Sequence, residues 1–291
     1  MAPRYTFGSS DMRDVYMTGD VSCMKHRTGI YVPLAVLLLS AGPALAVADS
    51  SAGPSEATAV RPAADWPAAK RTQRVSATIP VSGTRNFDFT RFVGTGALGG
   101  GDQSENQPPV LELADGATVS NVIIGSPAAD GIHCRGTCTL RNVWWEDVGE
   151  DAATFKSTRA NQTMTVDGGG ARRAADKVFQ HNGPGTFTIR NFQVEDFGKL
   201  YRSCGVCKKQ YQRHVVIDNV TVRAPGVDVV GINPNLGDTA RISRVTIVGD
   251  RSRKIVVCQK FRGVTAGEPV KTGSGPDGRN CIYRTSDITY R

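Results

Sequence analysis

Between Asp130 and Cys207 the sequence concentrates side chains that can do chemistry. Carboxylates come first, at Asp130, Glu146, Asp147, Glu150, Asp151 and Asp176, and cations follow at Lys177, Lys199 and Arg202. Two close cysteine pairs, Cys134/Cys138 and Cys204/Cys207, frame the stretch. Clustered carboxylates repel one another unless a cation sits among them. Hard oxygen donors suit calcium, which takes roughly six to eight oxygens in flexible geometry. Alone, EDVGED (146–151) reads as a solvated acidic turn; together with Asp130 and Asp176 it reads as a metal seat. Lys177 adjoins that seat. A bound cation would engage the carboxylates and disfavour a second positive charge, leaving the lysine neutral often enough to act as a base. Arg202 keeps its proton, and its planar fork suits a carboxylate clamp. Cations in this setting point to an acidic substrate.

Other chemistries find less support. His133, His181 and His214 are scattered, and no Ser or Cys nucleophile stands out with them. No glycine-rich loop is followed by the Lys-Ser/Thr of a phosphate site. Lys208 and Lys209 read as surface charge. Trp144 and Trp145 alternate across a strand, so either one is core and the other is at the surface, where it could stack on a sugar, or both pack in the core.

The elements that position these residues are strands. Apolar residues fall in short β-branched runs, among them TVSNVIIG (118–125), TLRNVWWEDVG (139–149), TFTIRNFQVEDFG (186–198), VVIDNVTVRAPG (215–226) and ARISRVTIVGD (240–250), separated by Gly, Asn, Asp or Pro. No long stretch keeps a helical period, so the chain is all-β. The runs share one form, with asparagine at Asn121, Asn142, Asn191 and Asn219 and Arg244 in the equivalent place. The gaps are 21, 49, 28 and 25 residues; the 49 holds two units, with MTVDGGG (164–170) as the poorly matching copy. One strand motif per unit at this period predicts a parallel β-solenoid with apolar ladders inside. Turn asparagines in an ordinary β-sandwich are the alternative, but the recurring register favours stacking. Asp130 to Glu150 spans 20 residues, Glu150 to Asp176 spans 26 and Lys177 to Lys199 spans 22. Those offsets put the groups on neighbouring coils and on one face.

Residues 24–48 have a charged start (Lys25, Arg27), an apolar run and an Ala44-Leu45-Ala46 cleavage pattern, which reads as a secretory signal peptide. Residues 1–23 read as an upstream extension, 49–74 as an Ala/Ser/Pro-rich linker and 75–291 as one domain. Six cysteines follow the leader. An even count in an exported chain points to disulfides, with 134–138, 204–207 and 258–281 the simplest of the possible pairings and a structural zinc site the minor alternative. The whole chain carries a net charge of +8, and residues 49–291 hold 31 basic against 24 acidic side chains. That favours anionic partners, whether nucleic acid, anionic lipid or acidic polysaccharide.

ADGIHCRGTCTLRNVWWEDVGEDAATFK and ADKVFQHNGPGTFTIRNFQVEDFGKLYRSCGVC resemble the secreted pectate lyases of the third polysaccharide-lyase family, over about residues 75–291. The resemblance implies a right-handed parallel β-helix and calcium-dependent eliminative cleavage of polygalacturonate. By motif it implies calcium ligands at Asp130, Glu150, Asp151 and Asp176 and a proton-abstracting Lys177. Substrate contacts would come from Lys199 and Arg202, with Glu105 at an acidic position near the site. GGGARRAAD, just before Lys177, departs from the pattern in length and could shift the calcium geometry. The expectation is a secreted monomer acting on an acidic polysaccharide, with no nucleic-acid partner and no membrane attachment once the leader is removed. A β-helix polygalacturonase and a non-catalytic pectate-binding wall module are the rival readings.

Overall fold

The strand runs pair in parallel. Thr118 lies opposite Thr139, and Val122 opposite Val143, in neighbouring strands Ala117–Ile124 and Cys138–Trp145. Parallel neighbours cannot be joined by a tight hairpin, so the chain makes a full circuit before it returns beside itself. The computed structural model describes residues 65–291. It is a parallel β-helix with three sheets, as the repeat predicts. The first stacks residues 84–86, 118–120, 139–141, 165–167, 186–190, 213–218 and 239–243. The second stacks 90–92, 122–124, 143–145, 169–171, 193–195, 221–223 and 245–248. The third stacks 79–81, 111–113, 132–134, 153–155, 179–181, 201–203 and 230–232. Val256–Arg262 pairs antiparallel with Val270–Ser274.

The asparagine column is the corner between the first and second sheets. Asn121, Asn142, Asn191 and Asn219 all take a left-handed φ of 52–54°, a conformation asparagine tolerates better than most side chains. Their amides bond along the axis: Asn142 Nδ2 donates to Asn121 Oδ1 at 2.7 Å, and Asn219 Nδ2 to Asn191 Oδ1 at 2.8 Å. Gly168 (φ 76°) fills the poorly matching copy, where Asp167 Oδ1 accepts from Asn191 at 2.7 Å. Arg244 (φ 52°) takes the last place and donates to Asp218.

Inside, equivalent apolar residues form ladders. Val119, Leu140, Val166, Ile189, Ile217 and Ile242 lie in one register and are all buried. Each such side chain contributes about 1.5–3 kcal/mol by leaving water. Disulfides join Cys134–Cys138, Cys204–Cys207 and Cys258–Cys281, the expected pairing.

One sequence expectation changes and one open choice closes. The fold begins inside the expected linker, because Arg71–Val75 pairs with Thr90–Gly94. Trp144 and Trp145 are both buried, so core packing holds for both. The reason is Trp66, whose ring packs edge-on against Trp144 at 5.0 Å and lies under the Arg172 guanidinium at 4.2 Å. The signal peptide and the upstream extension lie outside the described residues. Among the described residues, no helix is long and apolar enough to cross a membrane.

Candidate active site

The corner leading into the third sheet carries the polar column. Ile132, Ala153 and Phe179 are mutual partners, so the residues two places before them, Asp130, Asp151 and Lys177, stack in line. Lys177 then pairs with Lys199, and Lys199 with Asp228. Two glycines let the coils close up here. A Cβ on Gly131 (φ 50°) would lie 2.1 Å from the Ala152 carbonyl oxygen, and one on Gly198 would lie 2.3 Å from that of Asp176.

Asp130, Glu150 and Asp151 are buried and bring one carboxylate oxygen each to within 4.8 Å of the others. Asp130 Oδ2 meets His133 Nε2 at 2.6 Å and Lys156 Nζ at 4.0 Å. Thr154 Oγ1 donates to Asp151 Oδ2 at 3.4 Å. Asp130 Oδ1 and Asp151 Oδ1 are buried without a hydrogen-bond donor. A buried acceptor left in this state is costly, and this trio could hold a hard cation. The Lys177 ammonium leans toward this gap, with Nζ 2.9 Å from Glu150 Oε1, 3.1 Å from Asp176 Oδ2 and 3.6 Å from Asp151 Oδ1. Asp176 stands at the edge, outside the tight trio, and also accepts from Lys199.

The electrostatics follow from this crowding. Burial pushes Asp151 well above the usual carboxylate range and Glu150 above it as well, with Lys177 opposing both. For Asp176, burial is outweighed by Lys199 and Lys177, and its carboxyl is held low. Burial alone would lower the Lys177 ammonium; Asp151, Glu150 and Asp176 overcome it and raise the pKa. With the carboxylates unengaged, Lys177 is therefore held charged, and the neutral lysine expected from the sequence requires their charge to be taken up elsewhere.

Arg202 sits two coils beyond Asp151 on the same face. It is buried, donates from Nη1 to Asn233 Oδ1 at 2.9 Å and stacks 3.9 Å over the Phe261 ring. Its Nη2 has no partner. Burial lowers its pKa to about 10, with Asp238, Tyr201 and Asp228 opposing, so the guanidinium stays charged at neutral pH.

Not every acidic residue of the stretch joins the cluster. Glu146 clamps Arg91 through two bonds of 2.7 and 2.6 Å, and Asp147 pairs with Arg173 at 3.3 Å. Glu105 is exposed in the turn before Val110, outside the cluster. Conversely, His133 was set aside for want of a nucleophile, yet it braces Asp130; its i,i+3 spacing was the available signal. Lys156, Asn233 and Phe261 left no sequence signal. Asp228 lies one coil beyond Lys199 and could have been found by offset. His181 is a core residue bonded to the Tyr201 hydroxyl at 2.7 Å, and His214 bonds Thr239 at 2.7 Å.

Comparison with known proteins identifies the family. The family described as pectate lyase matches residues 63–268. Pectate lyase H of Emericella nidulans is 47% identical over 186 residues, covering 63% of this chain and 69% of that protein. The crystal structure of the catalytic domain of pectate lyase PelI from Erwinia chrysanthemi superposes with a TM-score of 0.65 at 35% identity, covering 76% of this chain and all of that domain. PelI in complex with tetragalacturonic acid matches with a TM-score of 0.62 at 34% identity, over 75% of this chain and 71% of that one. By fold and sequence, the chain belongs to the pectate lyase family of polysaccharide lyases.

Proposed function

We propose that this chain acts outside the cell and cleaves polygalacturonate by elimination. Asp130, Glu150 and Asp151 hold calcium, Asp176 completes the set from the next coil, and Lys177 is the base. The observation that carries this reading is the buried oxygen trio with two orphaned acceptors, beside the Lys177 ammonium. An all-oxygen, carboxylate-rich set suits a hard divalent cation. A relative of this chain is known with tetragalacturonic acid bound, which supports a uronide substrate here.

The proposed reaction uses the chain's own groups in order. Arg202 and Lys199 bind uronate carboxylates, with Arg202 offering its free Nη2. Bound calcium supplies positive charge that offsets the negative charge developing as the C5 proton leaves. Lys177 Nζ takes that proton, the C4–O bond breaks with its electron pair going to the leaving oxygen, and a C4–C5 double bond forms. No water is consumed. With the carboxylates engaged, burial is the force left acting on Lys177, and it favours the neutral amine.

A hydrolase on the same scaffold fits less well. Polygalacturonases need an acid and a base carboxylate on either side of the scissile bond, whereas these carboxylates converge on one point and share Lys177. The test is polygalacturonate digestion of residues 49–291 followed by ultraviolet absorbance. Unsaturated product that disappears with chelator supports the proposal; reducing ends without absorbance would refute it, and so would binding without cleavage.

A further inference from the structure

We infer that Asp228 is a positioning residue for this reaction, the seat to which Lys199 moves when the acidic cluster takes up its cation. The inference rests on the calcium reading above. Asp228 is fully buried, and among the described residues neither carboxylate oxygen has a hydrogen-bond donor. A buried carboxylate without a donor is a costly thing to keep in a fold. Its position shows what it is near. Lys199 pairs with Lys177 on one side and with Asp228 on the other, and neighbouring strands lie about 4.8 Å apart. A lysine side chain spans that distance with a change of rotamer. Lys199, Arg202 and Lys271 all act on Asp228 through their charge, while burial raises its pKa.

The present arrangement is lopsided. Lys177 is shared among Glu150, Asp176 and Asp151, and Lys199 also bonds Asp176. Asp176 therefore serves two ammonium groups while Asp228, one coil on, serves none. A divalent cation engaging Asp130, Glu150 and Asp151 takes away most of what holds Lys177. Lys177 and Lys199 are then left competing for Asp176 beside a new positive charge. Moving Lys199 to Asp228 relieves that repulsion, gives the orphaned carboxylate its partner and frees Asp176 toward the cluster. It also sets the Lys199 ammonium nearer to Arg202, three residues on, where the two together face a uronate carboxylate.

The test is calcium binding measured by calorimetry, without substrate, on the wild type, D228N, K199M and the double variant, with metal-free melting temperatures beside it. D228N is expected to bind calcium roughly tenfold more weakly, the range typical of groups that act behind metal ligands. Its metal-free melting temperature is expected to equal or exceed that of the wild type, because a lone buried charge has been removed. In K199M the same substitution is expected to change calcium affinity little. A D228N protein that is folded and binds calcium like the wild type overturns the inference. A lower metal-free melting temperature also overturns it, making Asp228 an ordinary structural acid, as does an undiminished D228N effect in K199M. If the wild type itself binds no calcium, the calcium reading falls and this inference with it, an outcome the wild-type titration shows separately.

Discussion

Replacing Lys177 by Met tests whether the ammonium and the metal are alternative counter-charges for one acidic cluster. The Lys177 side chain is 12% exposed, that of Glu150 7% and that of Asp151 3%. Removing one partner of a buried ion pair costs about 3–5 kcal/mol, because the other charge is left without compensation. Protonation limits the loss here, since burial already pushes Asp151 and Glu150 upward. The sign is fixed by linkage. A carboxyl whose folded pKa lies above its unfolded value of about 4 loses stability as pH rises from that value through the folded pKa, and K177M raises the folded values further. In chelator the variant is therefore expected to lose about 3 kcal/mol near pH 8 and much less near pH 5. For a domain of this size the larger loss corresponds to a melting-temperature drop of roughly 6–12 °C. Calcium should close most of the gap, and K177M should bind it more tightly than the wild type, since no ammonium has to be displaced. Melting in chelator and in calcium, with calorimetric titration, measures both. A variant as stable as wild type in chelator at pH 8, or one that binds calcium more weakly, would refute the reasoning.

Arg202→Lys keeps the charge but loses the Nη1 bond to Asn233 and the planar stack over Phe261; kcat/KM should fall about 100-fold, the scale of losing one preorganised donor to developing charge, with calcium affinity unchanged by titration. Gly131→Ala drives a Cβ to 2.1 Å from the Ala152 carbonyl oxygen at a left-handed φ. Strain of this kind costs about 1–3 kcal/mol, read as lower stability in denaturant and weaker calcium binding, because Asp130 and Asp151 flank the clash. The rate on polygalacturonate should rise toward alkaline pH as Lys177 loses its proton, and a K177R enzyme with the wild-type pH–rate profile would remove Lys177 from the role of base.

The architecture was legible because a parallel β-helix writes its pitch into the sequence. Asn121, Asn142, Asn191 and Asn219 carry a backbone demand, a left-handed corner, which few side chains other than asparagine meet without strain. Gly168 meets the same demand without a side chain, which is why that copy matched poorly on residue type and still stacks in register. The acidic trio was legible for the same reason, since coil offsets place Asp130, Glu150 and Asp151 together. The sequence could not show which acids already had partners. Glu146 is taken by Arg91, 55 residues away, and no periodicity connects those two positions. Trp66 shows the same blindness: its segment reads as linker by composition, and only its fit against Trp144 makes it part of the fold.

The GGGARRAAD departure has a physical resolution that bears on the site. The coil that carries Lys177 takes eight residues from Ala171 to Phe179, as the coil before it does from Trp145 to Ala153, so the register is kept on both sides. Ala171 still pairs with Trp145, and Phe179 with Ala153. The segment turns at the corner between the second and third sheets, where Arg173 has a left-handed φ of 57°. There Arg172 turns outward over Trp66 while its Nε donates to the Glu146 carbonyl at 3.1 Å, and Arg173 donates to the same carbonyl at 2.7 Å. The two arginines thus anchor this corner to the coil before it. Lys177 stays in line with Asp151 and Lys199, because a column in a β-helix is held by inter-strand hydrogen bonds within the sheets rather than by the length of chain between them. Insertions at this corner can therefore vary what surrounds the cluster without moving the cluster itself, provided the strand entering the third sheet keeps its register.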